Sequence, residues 1–409
     1  MATEQLRALV GARLDELSPE LRTINRAIHA NPELAYNEVF AHETLTDYLE
    51  KLGFPVTRHA YGLDTAFEVS VGSGGRQVVV CCEYDALPDI GHGCGHNLIA
   101  TSSLGAFLAA AHALAALAVP GRLRILGTPA EEGGGGKARL IAAGAFDPRH
   151  DVAASLMAHP LSARMANKPG EPDPYHGVAG YGMIASNKFR VEFRGATAHA
   201  AGEPWNGVNA LDAAVGAYNN VSMLRQQIRP DERVHGVFEV GGTVPNVIPD
   251  YTRMNWYVRS PTSDRADKLE TRVKACIESA AHATGCSFNY IPTDAYMSIV
   301  TNDTLCSIYT QDMRSFGQKV LEKSPEPFTA STDMGNVTHI VPGFHGGFFI
   351  NTEEGTALHS RGFAEAASTD EAHETAVKCA KGMAMMALRV ITDEAVAKAA
   401  RDDFEKRYE

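Results

Sequence analysis

The sequence predicts an α/β protein, a mostly parallel sheet covered by helices, with a ferredoxin-like α+β domain inserted into it. Three observations carry that reading: short apolar runs alternate with helical patterns, the rhythm changes in the middle, and the first rhythm then returns. The opening stretch MATEQLRALVGARLDELSPEL reads as an amphipathic helix. It lacks the basic start, apolar core and small-residue cleavage site of a secretion signal. Residues 77–83 (QVVVCCE) and 122–128 (RLRILGT) are β-rich runs, each followed by a helical pattern, and 152–157 supplies a third. Strands alternating with helices imply a parallel sheet. The longest apolar stretch, 98–119, is rich in alanine but carries Thr101, Ser102, Ser103 and His112, so it is expected as a buried helix, not a membrane span.

From residue 187 the pattern differs. Residues 187–194 alternate as a strand, 207–227 have helical spacing, 234–240 and 251–258 are strands, 263–284 is a helix and 287–291 a last strand. The order β-α-β-β-α-β is the split βαβ plan of a ferredoxin-like domain. The chain therefore reads as a main domain in two parts, 1–184 and 297–409, with an insert at 185–296. A length of 409 residues exceeds what one ordinary core holds. Near the end, Ser368 and Glu371 have capping-box spacing ahead of Ala372, Ala376, Ala380, Met383, Ala387 and Ile391, which predicts a helix packing back on the main domain.

Composition narrows the partners. A content of 44% hydrophobic and 21% charged residues is that of a soluble globular chain. A net charge of -12 argues against nucleic acid or an anionic membrane, since both demand a concentrated basic face. A small-molecule substrate fits better. Seven cysteines without regular spacing, Cys81 and Cys82 being neighbours, point to a reducing, cytoplasmic setting.

The chemistry-bearing residues Asp85, Cys94, His96, Glu131, Glu132 and His159 all fall just after predicted strands, where open α/β sheets place ligands. Five residues offer metal donors: Cys94, His96, Glu132, His159 and His359. Imidazole, thiolate and carboxylate together suit zinc, and also manganese or cobalt. One cysteine among His and Glu donors is unlike a closed structural site, so open coordination positions and a two-metal centre are expected. Cys94 and His96 are two apart, and Gly95 lets an extended turn bend so that both face one site. The adjacent carboxylates Glu131 and Glu132 repel unless something positive lies between them. Pointing differently from extended backbone, Glu132 becomes a ligand and Glu131 the general base, later the proton donor to a leaving amine.

The glycines after them do not make a phosphate loop. That motif needs a glycine where Glu131 stands and a hydroxyl where Ala138 stands, so they are expected to open a helix beside the site. His159 is expected just past a buried strand, with Pro160 as its exit, and His359 in the polar loop GTALHSRGF. His199, in RGATAHAAGEPWNG, belongs to the insert and reaches the site only by domain closure or from a second subunit.

The chain carries nine motifs: NPELAYNE (31–38), DALP (85–88), HGCGHN (92–97), GTPAEEGGGGK (127–137), AHP (158–160), GATAHAA (195–201), NVIPD (246–250), STDMGN (331–336) and ALHS (357–360). With them it resembles, over almost its whole length, the dinuclear metallopeptidase family of aminoacylase and carboxypeptidase G. Within that family it is most similar to the amidohydrolase branch of auxin-conjugate hydrolases, aminobenzoyl-glutamate hydrolase and the cytosolic dipeptidase for basic amino acids. The resemblance implies a two-metal catalytic domain and an inserted lid through which the chain forms a homodimer. It makes Cys94, His96, Glu132, His159 and His359 the ligands of two divalent ions and Glu131 the base. It further implies that Asp85 orients a ligand, that His199 stabilises the oxyanion across the dimer, and that Asn246 with Arg259 holds the substrate carboxylate. Asn97 stands where many branch members have Asp, a change that looks like the dipeptidase subgroup.

The expected activity is hydrolysis of an amide bond between an acyl or aminoacyl group and an amino acid with a free carboxylate, on a dipeptide or N-acyl amino acid. Two alternatives remain at this point: a biosynthetic member that forms or remodels amides, and a non-catalytic dimeric scaffold.

Overall fold

The computed structural model describes residues 3–168 and 170–406. Its strands are β1 (Val56–Arg58), β2 (Phe67–Ser73), β3 (Gln77–Cys82), β4 (Gly121–Gly127), β5 (Val152–Ser162), β6 (Gly177–Gly180), β7 (Ala185–Arg194), β8 (Arg233–Val240), β9 (Tyr251–Ser260), β10 (Ser287–Pro292), β11 (Val320–Lys323) and β12 (Gly343–Ile350). They form an eight-stranded sheet in the order β1-β2-β4-β3-β5-β12-β6-β11 and a four-stranded sheet in the order β10-β7-β9-β8. The chain divides into two compact units: residues 1–182, 299–328 and 333–409, and residues 183–298 with 329–332. Nothing in the sequence signals that 329–332 belong with the second.

In the first unit β4, β3, β5 and β12 run parallel, flanked by antiparallel β2 on one side and β6 on the other. Val78, Val79, Val80, Cys81 and Cys82 are all fully buried, although successive side chains point to opposite faces, so both faces of the sheet are covered at β3. The helix His96–Leu117 is long and apolar enough to cross a membrane, yet 89% of its apolar window is buried inside the protein, as expected of a core helix. It packs against the helices Thr3–Ala30 and Asp370–Thr392. Thr3–Ala30 presents Leu6, Val10, Leu14, Leu17, Leu21, Ile24 and Ile28 to that core at three- and four-residue spacing.

Two local expectations need correction. The helix Asp370–Thr392 is capped by Thr369, whose hydroxyl accepts the Ala372 N–H at 3.2 Å, while Ser368 donates to the Glu365 carbonyl. Glu371 is not a cap partner but accepts from Asn351 at 2.6 Å. Strand β5 also runs five residues beyond the expected 157, because β12 pairs with it from Ser155 to Ser162. Pro160 lies inside it rather than ending it. β3 pairs with β5 only as far as Leu156, so one side of β5 has no ladder there and tolerates a residue without an N–H.

The second unit has the split βαβ order, all strands antiparallel, with the helices Ala210–Leu224 and Ser263–Thr284 over a core that includes Phe189, Val191, Met254, Trp256 and Val258. β9 alternates half-buried and buried along its whole length, one face in the core and one outside.

Candidate metal centre

The candidate residues of the first unit gather at the C-terminal ends of β3, β4 and β5. Glu83 and Asp85 follow β3, Glu131 and Glu132 follow β4, and His159 sits in the overhang of β5. His96 opens its helix. Gly95, at φ +77°, turns the chain into it; a Cβ there would lie 2.6 Å from Pro160 Cγ, so this turn requires glycine. Glu131 and Glu132 lie in a turn rather than in the extended backbone expected, the turn being set by Ala130 at φ +61°. His359 is exposed, at φ +62°, with its N–H donating to the Gly93 carbonyl at 2.9 Å.

All five expected donors meet. The donor atoms of Cys94, His96 and His159 lie within 4.8 Å of one another, as do those of Cys94, Glu132 and His359, and those of His96, Glu131 and Glu132. Asp85 fixes two of them: its Oδ1 accepts from His96 Nδ1 at 2.9 Å and its Oδ2 from the Glu132 N–H at 2.8 Å. With the proton on Nδ1, the Nε2 lone pair of His96 points inward, 3.9 Å from Glu131 Oε2 and 4.0 Å from Glu132 Oε1. His159 Nδ1 donates to the Pro160 carbonyl at 2.7 Å, which turns its own Nε2 to Cys94 Sγ at 3.3 Å. His359 Nε2 stands 3.3 Å from Glu132 Oε1.

Buried lone pairs crowded together are costly without a cation. His96 Nε2 and Glu132 Oε1 are buried with no hydrogen-bond partner among the described residues. Burial pushes His159 down to about 3, so it is a neutral donor. Burial also works against ionisation of Glu132, but the neighbouring imidazoles of His359, its Nε2 3.3 Å from Oε1, and His96 outweigh it and hold Glu132 at about 2. Glu131 goes the other way: burial, then Glu83 and Glu132, raise it well above the usual carboxylate range. One ionised carboxylate and one proton-avid carboxylate stand side by side, and the donor set fits divalent cations of the zinc and manganese kind.

Several charged residues around the centre had no assigned role in the sequence. Lys137, fully buried, is bonded to Glu83 and, at 2.6 Å, to Asp333 Oδ1, while Asp333 Oδ2 accepts the Lys137 N–H at 2.8 Å. The other oxygen of Glu83 faces His96 Nε2 at 3.6 Å. His345, on β12, stacks on His159 with ring centroids 6.2 Å apart and is hydrogen-bonded to Tyr181 Oη at 3.0 Å. From the N-terminal motif, the Glu33 carbonyl accepts the Ala86 N–H at 2.8 Å, Tyr36 Oη donates to the Gly134 carbonyl at 2.6 Å, and Glu38 accepts the Ala130 N–H at 2.8 Å. The signals available were the lysine ending GGGGK and the acidic residues of NPELAYNE, CCEYD and STDMGN.

The second unit holds the remaining three candidates. His199 is exposed and forms a bridge with Val247, and the Asn246 carbonyl accepts the Ala200 N–H at 3.0 Å, so His199 and Asn246 share one corner. His199 Nδ1 accepts the Ala201 and Gly202 N–H groups at 3.2 and 3.0 Å, which leaves the proton on Nε2, a donor. Arg259 is near the far end of β9, where Nη1 donates to Ser331 Oγ at 3.1 Å. The strand from Tyr251 to Arg259 spans about 26 Å. Within one chain Asn246 and Arg259 therefore do not meet, contrary to the expected joint grip on a carboxylate.

A parallel sheet bearing a Cys, His and Glu donor cluster with a proton-avid glutamate at its strand ends defines a metal-dependent hydrolase. The sequence matches peptidase family M20/M25/M40 over residues 82–386, and the chain belongs to that family. It is 40% identical over 418 residues to Xaa-Arg dipeptidase of Mus musculus, covering 98% of this chain and 92% of that protein. It is 30% identical over 305 residues to a p-aminobenzoyl-glutamate hydrolase chain of Escherichia coli, covering 70% of this chain and 60% of that one. Among solved structures it is similar to a dinuclear metal-binding peptidase of the M20 family from Bacillus subtilis, with TM-score 0.64, 20% identity, and 92% and 99% of the two chains covered. The chain is thus an M20 metallohydrolase of dipeptidase type.

Proposed function

We propose that this protein hydrolyses the amide bond between an acyl or aminoacyl group and an amino acid with a free carboxylate, a basic amino acid being the favoured leaving group. The observation that carries the reading is the meeting of five donors beside Glu131, a carboxylate whose surroundings raise its proton affinity. The similarity to Xaa-Arg dipeptidase along 98% of the chain supports arginine, lysine or ornithine as leaving residue. Cys94, His96, Glu132, His159 and His359 would hold two divalent cations, zinc or manganese with cobalt a further candidate, which supply Lewis acidity toward the scissile carbonyl and acidify water. Glu131 takes the proton of the attacking water and returns it to the leaving amine. Asp85 keeps His96 and the Glu132 backbone in place. His199 Nε2–H donates to the oxyanion, and Arg259 reads the substrate carboxylate with its planar fork.

The distance along β9 that separates Asn246 and His199 from Arg259 supports a homodimer in which one chain supplies the corner and the other the arginine. The edge strand β8 supports the same assembly: Val237 is 60% and Phe238 41% exposed on an edge unpaired among the described residues, with the exposed Tyr218 ring 6.0 Å from that of Phe238. All seven cysteines are free, which supports a cytoplasmic setting. A panel of dipeptides and N-acyl amino acids assayed with zinc, manganese and cobalt tests the reading. Fastest cleavage is expected for dipeptides ending in a basic residue, and cleavage confined to substrates without a free carboxylate would refute it.

A further inference from the structure

Ala130 is a fully buried, non-glycine residue at φ +61°, immediately before Glu131 and Glu132, in a loop where glycine occupies the next four available positions. A left-handed alanine persists only where its surroundings hold it. Glu38 meets it from 92 residues away. Its Oε1 accepts the Ala130 N–H at 2.8 Å, and its Oε2 accepts Thr65 Oγ1 at 2.7 Å. The Glu38 carboxylate has no task in its own helix, Val39–Lys51: it makes no side-chain cap, and the Phe40 and Ala41 N–H groups are taken by Glu33 at 2.9 and 3.0 Å. Thr65 is anchored in turn, its carbonyl accepting from His42 Nδ1 at 3.0 Å and from Tyr84.

We propose that Glu38 is a positioning residue: its buried carboxylate holds Ala130 in the left-handed region, and that turn aims Glu131 and Glu132 at His96. Tyr36 and Gly134 complete the brace, since a Cβ on Gly134 would lie 2.6 Å from the Ala130 Cβ. The inference rests on the roles of Glu131 as base and Glu132 as ligand, and its test separates the two.

The test is a cycle of Glu38→Ala, Glu38→Gln, Ala130→Gly and the double variant Glu38→Ala/Ala130→Gly, read by kcat, KM and zinc affinity against a competing chelator. Glu38→Ala is expected to lower kcat and zinc affinity each about tenfold with KM within about twofold, the left-handed alanine alone being worth that order. Glu38→Gln keeps an acceptor toward Ala130 and is expected to stay within about threefold of wild type. Glycine adopts φ +61° without strain, so Ala130→Gly on its own is near wild type, and in the double variant it recovers most of the lost kcat and zinc affinity. Thr65→Val, which frees only the second carboxylate oxygen, gives the same recoverable loss at smaller amplitude and serves if Glu38→Ala does not fold. Equal losses with and without Ala130→Gly, or wild-type kcat and zinc affinity in Glu38→Ala, would overturn the proposal. If the wild type cleaves no amide in the panel, the hydrolase reading fails, and the zinc-affinity cycle still decides the role of Glu38.

Discussion

The candidate residues of the two units are held in opposite ways. In the first unit every donor except His359 is buried or partly so, and three of them are fixed by a second contact: His96 and Glu132 by Asp85, His159 by the Pro160 carbonyl and by stacking on His345. In the second, His199 and Asn246 are exposed at a loop corner, and Arg259 stands at the other end of a strand. A metal centre needs rigid, dehydrated donors, because misplaced lone pairs cost affinity; groups that greet a substrate need access. The contrast teaches that one unit holds its polar groups rigid and dehydrated, as a cation site requires, while the other leaves its candidate groups open to solvent.

The largest expected effect lies in the first unit. Glu131→Gln should lower turnover about a thousandfold while bound metal, measured by elemental analysis, stays near two per chain. Near-normal turnover would remove Glu131 as base. His199→Ala should lower kcat about a hundredfold without changing metal content, as expected of an oxyanion donor. A loss of metal in that variant would break the division between the units. Asp85→Ala should weaken metal affinity between about 10- and 100-fold by releasing both His96 and Glu132, with the second unit unaffected. Phe238→Asp should weaken self-association about tenfold in sedimentation, with metal content intact; an unchanged assembly would show that β8 is not the contact.

The smallest effect is one of pH on the first unit alone. Burial, then the charge of Arg22, pushes His373 down to about 4, below its usual 6.5. A depressed histidine contributes stability that is complete above 6.5 and lost as pH falls toward 4, because the unfolded chain binds the proton first. From pH 6.5 to 5.5 the loss from this one group is about 1 kcal/mol. Denaturant midpoints should show it, and His373→Gln should flatten the slope; an equally steep slope would assign the acid sensitivity elsewhere.

How far the sequence spoke for itself differs from place to place. The helix 263–284 is legible to the residue because its apolar stripe ends at Gly285, which caps it at φ +75°. The five donors were legible because thiolate, imidazole and carboxylate at strand ends have few other joint uses. The length of β5 was not, since it depends on pairing with β12, nearly two hundred residues later. Nor were buried Glu38 and the separate network of Glu83, Lys137 and Asp333: a charged residue read alone defaults to the surface, and only tertiary contact reveals the partners that let it stay buried. The separation of Asn246 from Arg259 was available, because the strand between them was recognised and its length follows from its residue count.

The position of His359 in the chain has a consequence for biosynthesis. Four donors precede residue 160, but the fifth follows the second unit, whose sheet is built from consecutive strands and closes locally. At about 5–20 residues per second the ribosome needs roughly 10–40 s between His159 and His359. The nascent chain thus completes its second unit before its first has either β12 or a full set of donors. Under the proposed ligand set, tight cation capture is a closing event of maturation, a seal on a finished fold rather than the seed of one.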